Sequence, residues 1–235
     1  MNILITGASK GIGFETAKHL ASLGNHNIVA ISRDENKLKE LKSQCIRVNI
    51  EAHLYPIPFD LTVSESFTDI LIGRINDFVP HIDILINNAG FLVNKPLETL
   101  SDSELNQILN VNFIAPARLI RAIVPIMKPG GHVVNISSMG GFQGSAKFSG
   151  LSVYSASKAA VANLTECLAV EYNEHGIAFN CLALGAVSTE MLNQAFPGYH
   201  APLSASEMGA FISNFALTGN KFFNGKILPV SLSTP

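Results

Sequence analysis

Tyr154 and Lys158 stand four residues apart, and a helix would bring them onto one face because four residues advance slightly more than one turn. Such a pair can serve as an acid/base. A tyrosine titrates near pH 10, and about 4 kcal/mol of preference for its phenolate is needed to bring it to neutrality. A cation about 4 Å away, at an effective dielectric of about 20, supplies a term of that size. Tyr/Lys neighbours also occur on ordinary solvated helix faces, so the weight falls on what accompanies them. Far upstream, Thr6-Gly7-Ala8-Ser9-Lys10-Gly11-Ile12-Gly13 places three glycines where a strand would hand over to a helix. Glycine there permits a tight turn and close backbone approach, and the N–H groups of a helix start favour a pyrophosphate. One feature suggests a catalytic phenol; the other suggests a pyrophosphate.

Short apolar runs at 2–6, 27–32, 54–59, 82–87, 132–137, 177–184 and 226–230 alternate with helical patterns at 12–23, 35–43, 64–78, 101–127, 152–175 and 204–217. Seven strands so separated predict an α/β fold, a doubly wound parallel sheet flanked by helices, in one domain spanning residues 1–235. Ligands of such sheets settle beyond the carboxyl ends of the strands. The Gly7 loop would close the first strand, Asp60 the third, Asn87-Asn88-Ala89-Gly90 the fourth, Ser137-Ser138 the fifth and Gly185 the sixth. All the notable residues therefore share one edge.

A chain of 235 residues, 47% hydrophobic, can bury a sizeable core. A net charge of -2 and a pI near 6.4 leave no basic footprint for nucleic acid. The longer uncharged runs, such as 129–146, are broken by Gly, Ser, Asn and Gln, so no membrane span is expected. Met1 leads directly into an apolar strand without a basic region or cleavage site, which points to a cytoplasmic location. Cys45, Cys167 and Cys181 are odd in number and lack ligand spacing, so packed, reduced thiols are expected. The seven histidines form no zinc pair, and no metal is expected.

Thr6 to Gly13, Asp60-Leu61, Asn87-Asn88-Ala89-Gly90, Asn112, Ser137-Ser138 and Tyr154-Ser155-Ala156-Ser157-Lys158 follow in one order. In that combination the chain resembles the short-chain dehydrogenase/reductase family over nearly its full length. The resemblance implies a Rossmann-type domain and hydride transfer between a nicotinamide cofactor and a carbonyl or secondary alcohol. It makes Tyr154 the acid/base and gives Lys158 two tasks, lowering the phenol's pKa and holding the nicotinamide ribose. Ser138 would bond the substrate carbonyl, and Asn112 would support a water in a proton relay. Gly7, Ser9, Lys10 and Ile12 would belong to the cofactor loop. Asp60 and Leu61 would meet the adenine, and Asn88, Ala89 and Gly90 would pack beside the adenosine ribose. Gly185, Val187 and Thr189 resemble the turn that contacts the nicotinamide, although the family's Pro-Gly there reads Leu184-Gly185.

Sixteen residues separate Ser138 from Tyr154, more than in relatives, so an insertion is expected at 144–151 and Ser137 is an alternative to Ser138. Pro116 lacks an N–H and cannot bond the carbonyl of Asn112, which would leave that oxygen to a relay water. Ser32 and Arg33 stand where a carboxylate would select NAD(H), and Lys10 lies in the loop; these cations favour NADP(H). Asp34 could instead pair with Arg33 or approach the ribose. The stretch 190–202 carries no helix pattern and reads as a short, open lid, with Val93, Phe142, Gln143, Met191 and Phe196 as candidate pocket walls.

Segments 105–127 and 153–170 are apolar on more than one face, with Ala156, Ala159, Ala160 and Ala169 permitting close approach. Similar relatives pair these helices, so a homodimer or homotetramer is expected. An epimerase or dehydratase using the same cofactor, and a nucleotide-sensing scaffold without turnover, are the competing readings. The presence of Asn112, Ser138, Tyr154 and Lys158 together counts against the scaffold.

Overall fold

The computed structural model describes residues 1–63 and 67–232. β1 (Asn2–Thr6), α1 (Gly11–Leu23), β2 (Asn27–Ser32), α2 (Glu35–Val48), β3 (His53–Pro58), α3 (Phe67–Asn76) and β4 (Ile82–Asn87) come first. After them the chain forms α4 (Asp102–Leu109), α5 (Ala115–Ile123), β5 (Met127–Ser138), α6 (Ser152–Glu171) and β6 (Ala178–Leu184). The short β7 (Val187–Ser188), α7 (Glu190–Ala195) and β8 (Leu203–Ser204) precede α8 (Ala205–Thr218) and β9 (Lys226–Val230).

The main sheet runs in the order β3-β2-β1-β4-β5-β6-β9 with parallel pairing throughout. Winding proceeds outward from β1 to β3, then returns beside β1 as β4. A crevice therefore opens between the carboxyl ends of β1 and β4. Side chains alternate along each strand, yet both faces are covered, so the strands read as unbroken apolar runs. Ile3, Ile5 and Ile28 pack with Leu20, Leu38 and Ile212 from α1, α2 and α8. Leu4, Val29 and Ile31 face Leu71, Leu119 and Ile123 from α3 and α5.

Several expectations need correction. The predicted helix 101–127 is divided: α4 passes into a π-helical turn at Asn110–Ile114, where the Ala115 N–H bonds the Asn110 carbonyl, before α5 begins. Pro116 follows immediately, and a residue without an N–H cannot close an ordinary turn there. By length and composition alone, Asp102–Ile126 is apolar enough to cross a membrane, although it is not one of the uncharged runs considered above. Half of its most apolar window is buried, and Leu119, Ile120 and Ile123 pack in the core.

α2 continues to Val48 because Leu38, Leu41 and Cys45 extend one buried stripe. The expected start of the third helix at 64 lies outside the described residues. Segment 190–202 contains α7, started by Thr189, whose side chain accepts from the Leu192 N–H. Cys45 and Cys181 are buried, but Cys167 is exposed rather than packed.

Candidate active site

Thr6, at the end of β1, joins the two strands that border the crevice. Its hydroxyl accepts from the N–H groups of Asn88 (3.1 Å) and Ala89 (3.0 Å), while the Asn88 amide donates to the carbonyls of Thr6 (3.0 Å) and Gly7 (3.3 Å). This closeness leaves no room for side chains. A Cβ on Gly7, whose φ is +68°, would lie 2.8 Å from the Ala89 Cα, and one on Gly13 would lie 2.4 Å from the Gly7 carbonyl oxygen. The N-cap of α1, Lys10, provides no side-chain acceptor for the first-turn N–H groups. A tight glycine bend ending at uncapped donors fits a pyrophosphate.

The outer end of this crevice holds the residues expected to meet adenosine. Arg33 is exposed beyond β2. Asp34 does not pair with it: its side chain caps α2 by accepting from the Lys37 N–H at 3.0 Å, and the Ser32 hydroxyl accepts from the Asp34 N–H at 3.4 Å. Asp60 holds its own turn, accepting from the Thr62 N–H (2.9 Å) and hydroxyl (2.8 Å), beside a partly buried Leu61. Lys10 is not a free cation; its ammonium lies 2.9 Å from a Glu190 carboxylate oxygen on α7.

At the other end of the crevice, α6 is held from three sides. The Asn112 side chain accepts from the Phe91 N–H (2.8 Å) and donates to the Phe91 carbonyl (2.8 Å) and the Ser157 hydroxyl (3.0 Å). Ser157 in turn donates to the Tyr154 carbonyl at 2.6 Å. Asn87, Asn135 and Thr165 form a second buried chain across β4, β5 and α6. The 3-10 turn Met139–Gly141 presses directly on the helix, since a Cβ on Gly141 would lie 2.6 Å from the Ala159 nitrogen. Ser157 and the Gly140-Gly141 pair were not singled out from sequence, although they adjoin motif residues.

This clamping brings Ser138, Tyr154 and Lys158 together. Lys158, 4% exposed, donates from Nζ to the Ile136 carbonyl at 2.8 Å, and its Nζ would lie 3.6 Å from a Cβ on Gly90. Ser137 points the other way and donates to the Lys158 carbonyl at 2.7 Å. Ser138 accepts from the Gly140 N–H at 3.2 Å and hydrogen-bonds the Tyr154 hydroxyl. Strand alternation thus separates the two serines.

The electrostatics differ from the sequence expectation. Burial pushes the Tyr154 phenol above its ordinary value, and the Ser138 hydrogen bond opposes this only in part. Lys158 Nζ stands 5.9 Å from the ring centroid, and desolvation outweighs what lowers the phenol. The same burial lowers the ammonium to about 8. Tyr154 is therefore a protonated acid at neutral pH, beside a lysine poised to titrate.

Gly185 packs against Ser231 and donates its N–H to the Val230 carbonyl at 2.9 Å. Val187 is buried in β7, and the Thr189 methyl would lie 3.5 Å from a Cβ on Gly11; the turn after β6 therefore rests on the glycine loop. Segment 142–151 folds over the 3-10 turn, with the Lys147 ammonium bonding the carbonyls of Gly140 (3.0 Å) and Phe142 (2.7 Å). Val93, Phe142, Met191 and Phe196 are partly buried; Gln143 is exposed. A surface cavity of about 480 Å³ lined by Glu166, Val170 and Lys226 lies at the amino ends of the strands.

The sequence profile described as short chain dehydrogenase matches residues 1–200. A fatty acyl-CoA reductase of Acinetobacter baylyi is 31% identical over 218 residues, 91% of this chain and 72% of that protein. A gluconate 5-dehydrogenase of Gluconobacter oxydans is 35% identical over 190 residues, 80% of this chain and 72% of that one. Among solved structures, a levodione reductase has a TM-score of 0.87 at 25% identity, covering 98% of this chain and 95% of its own. A short-chain dehydrogenase from Burkholderia cenocepacia in complex with NADP has a TM-score of 0.86 at 24% identity, covering 97% and 95%, a likeness of fold.

Proposed function

This chain belongs to the short-chain dehydrogenase family of oxidoreductases, and from that premise we propose that it uses NADP(H) to interconvert a carbonyl and a secondary alcohol. The observation that carries the reading is the Tyr154 hydroxyl, bonded to Ser138 and beside Lys158 at the carboxyl edge of the sheet. When bound, the nicotinamide cofactor supplies or accepts the hydride. The Ser138 and Tyr154 hydroxyls stabilise negative charge developing on the substrate oxygen, and Tyr154 gives it a proton. The Lys158 ammonium then stabilises the phenolate. Incubation with NADPH and a panel of ketones and aldehydes should consume NADPH; cofactor binding without consumption by any member would favour a non-redox or sensing role.

Two variant sets sharpen this proposal. Ser138→Ala should lower kcat by about tenfold or more, as loss of one oxyanion donor does. Ser137→Ala should instead cost about 1 kcal/mol of stability by leaving the Lys158 carbonyl without its hydroxyl partner. The reverse pattern would make Ser137 the substrate-facing serine.

Arg33, exposed and with no ion-pair partner among the described residues, is the guanidinium suited to a 2'-phosphate. Arg33→Ala should weaken NADPH binding by about tenfold and leave NADH binding nearly unchanged. Equal losses would remove the preference for the phosphorylated cofactor.

A further inference from the structure

An ion pair joins the cofactor loop to α7. Lys10 Nζ lies 2.9 Å from Glu190 Oε2, with the side chains 49% and 53% exposed. The other carboxylate oxygen, Oε1, accepts from Gln194 Nε2 at 3.0 Å, so neither oxygen is left unassigned. The Lys10 hydrogen bond, the Lys10 charge and the charge of Lys37 all hold the Glu190 carboxyl below its usual range. One residue earlier, Thr189 starts α7 and approaches Gly11. Glu190 is thus a carboxylate set among the cations of the loop and of α2, where the cofactor reading places a phosphate.

We propose that Glu190 is a specificity-determining residue: its carboxylate occupies Lys10 in place of the phosphate that distinguishes NADP(H) from NAD(H). Taking up the phosphorylated cofactor opens the Lys10–Glu190 pair and loosens α7; the unphosphorylated cofactor leaves the pair closed. This rests on the NADP(H) reading above. A phosphate with about -1.5 to -2 of charge outcompetes a single carboxylate for an ammonium. Exposed ion pairs shift equilibria by no more than about fivefold, so Glu190 tunes the preference while Arg33 sets it.

Dissociation constants for NADPH and NADH can be read from the cofactors' own fluorescence, since the chain has no tryptophan. Glu190→Gln should tighten NADPH by about three- to fivefold and leave NADH unchanged. In a Lys10→Met background, the same substitution should have no effect. Hydrogen exchange in 190–195 should rise when wild-type protein binds NADPH and not when it binds NADH. Equal changes for both cofactors, or a full Glu190→Gln effect without Lys10, would overturn the proposal. If Arg33→Ala selectively weakens NADPH while Glu190→Gln changes nothing, only this inference falls. If Arg33→Ala is also unselective, the NADP(H) reading itself fails.

Discussion

Tyr154→Phe should lower turnover by about a thousandfold while NADPH affinity stays within about twofold. A positioned general acid contributes about 10²- to 10⁴-fold, and no other phenol adjoins Ser138 among the contacts described. Phenylalanine keeps the ring volume and the face presented to Lys158 at 5.9 Å, so α6 retains its packing. Ser138 keeps its bond from the Gly140 N–H. The substitution therefore removes an acidic proton and little else. Turnover within tenfold of wild type would assign proton donation to another group. Loss of cofactor binding along with turnover would mean the hydroxyl is structural.

The second large effect is on pH. For carbonyl reduction, kcat/KM should hold up to about pH 8 and then fall about tenfold per pH unit, reaching roughly a hundredfold by pH 10. The sign follows from the two environments. Lys158 is charged below its pKa, and burial brings that value down to about 8; raising the pH through it removes the ammonium that stabilises the phenolate. Tyr154 is shifted the other way, above its ordinary value near 10, so it is not the source of a limb that begins near pH 8. Lys158→Arg, whose guanidinium stays charged throughout, should abolish the limb whatever it does to the absolute rate. A limb that survives in the arginine variant would exclude Lys158 as its source.

The separation of the two serines shows how far residue pattern reaches. Both were legible as candidates at the end of a strand, and strand alternation says that only one can face the crevice. Which one does so depends on where α6 rests. Gly140 and Gly141 let the turn after β5 sit against α6, and Ser137 bonds the Lys158 carbonyl. These contacts cross an interval of 21 residues from Ser137 to Lys158, beyond the reach of local pattern.

Lys10 illustrates the same limit in charge. Its place in a glycine loop suggested a phosphate ligand, but Glu190, 180 residues onward, is its partner. The helix carrying that glutamate was missed because six residues, with no buried side chain, leave no apolar stripe to read. The π-turn at Asn110–Ile114 was missed differently. Helical periodicity continues through it, and Pro116 indicated a break without indicating its form.

The amino-acid order alone determined the seven-stranded doubly wound sheet, its carboxyl edge as the working edge, and the family, because these follow from apolar periodicity and from residue types confined to short motifs. Tertiary structure alone decided which serine meets Tyr154, that burial raises the phenol while bringing the Lys158 ammonium down to about 8, and that Glu190 answers Lys10. The physical reason is distance in the chain: burial and charge pairing are sums over neighbours that folding gathers from separate segments, and no local pattern contains them.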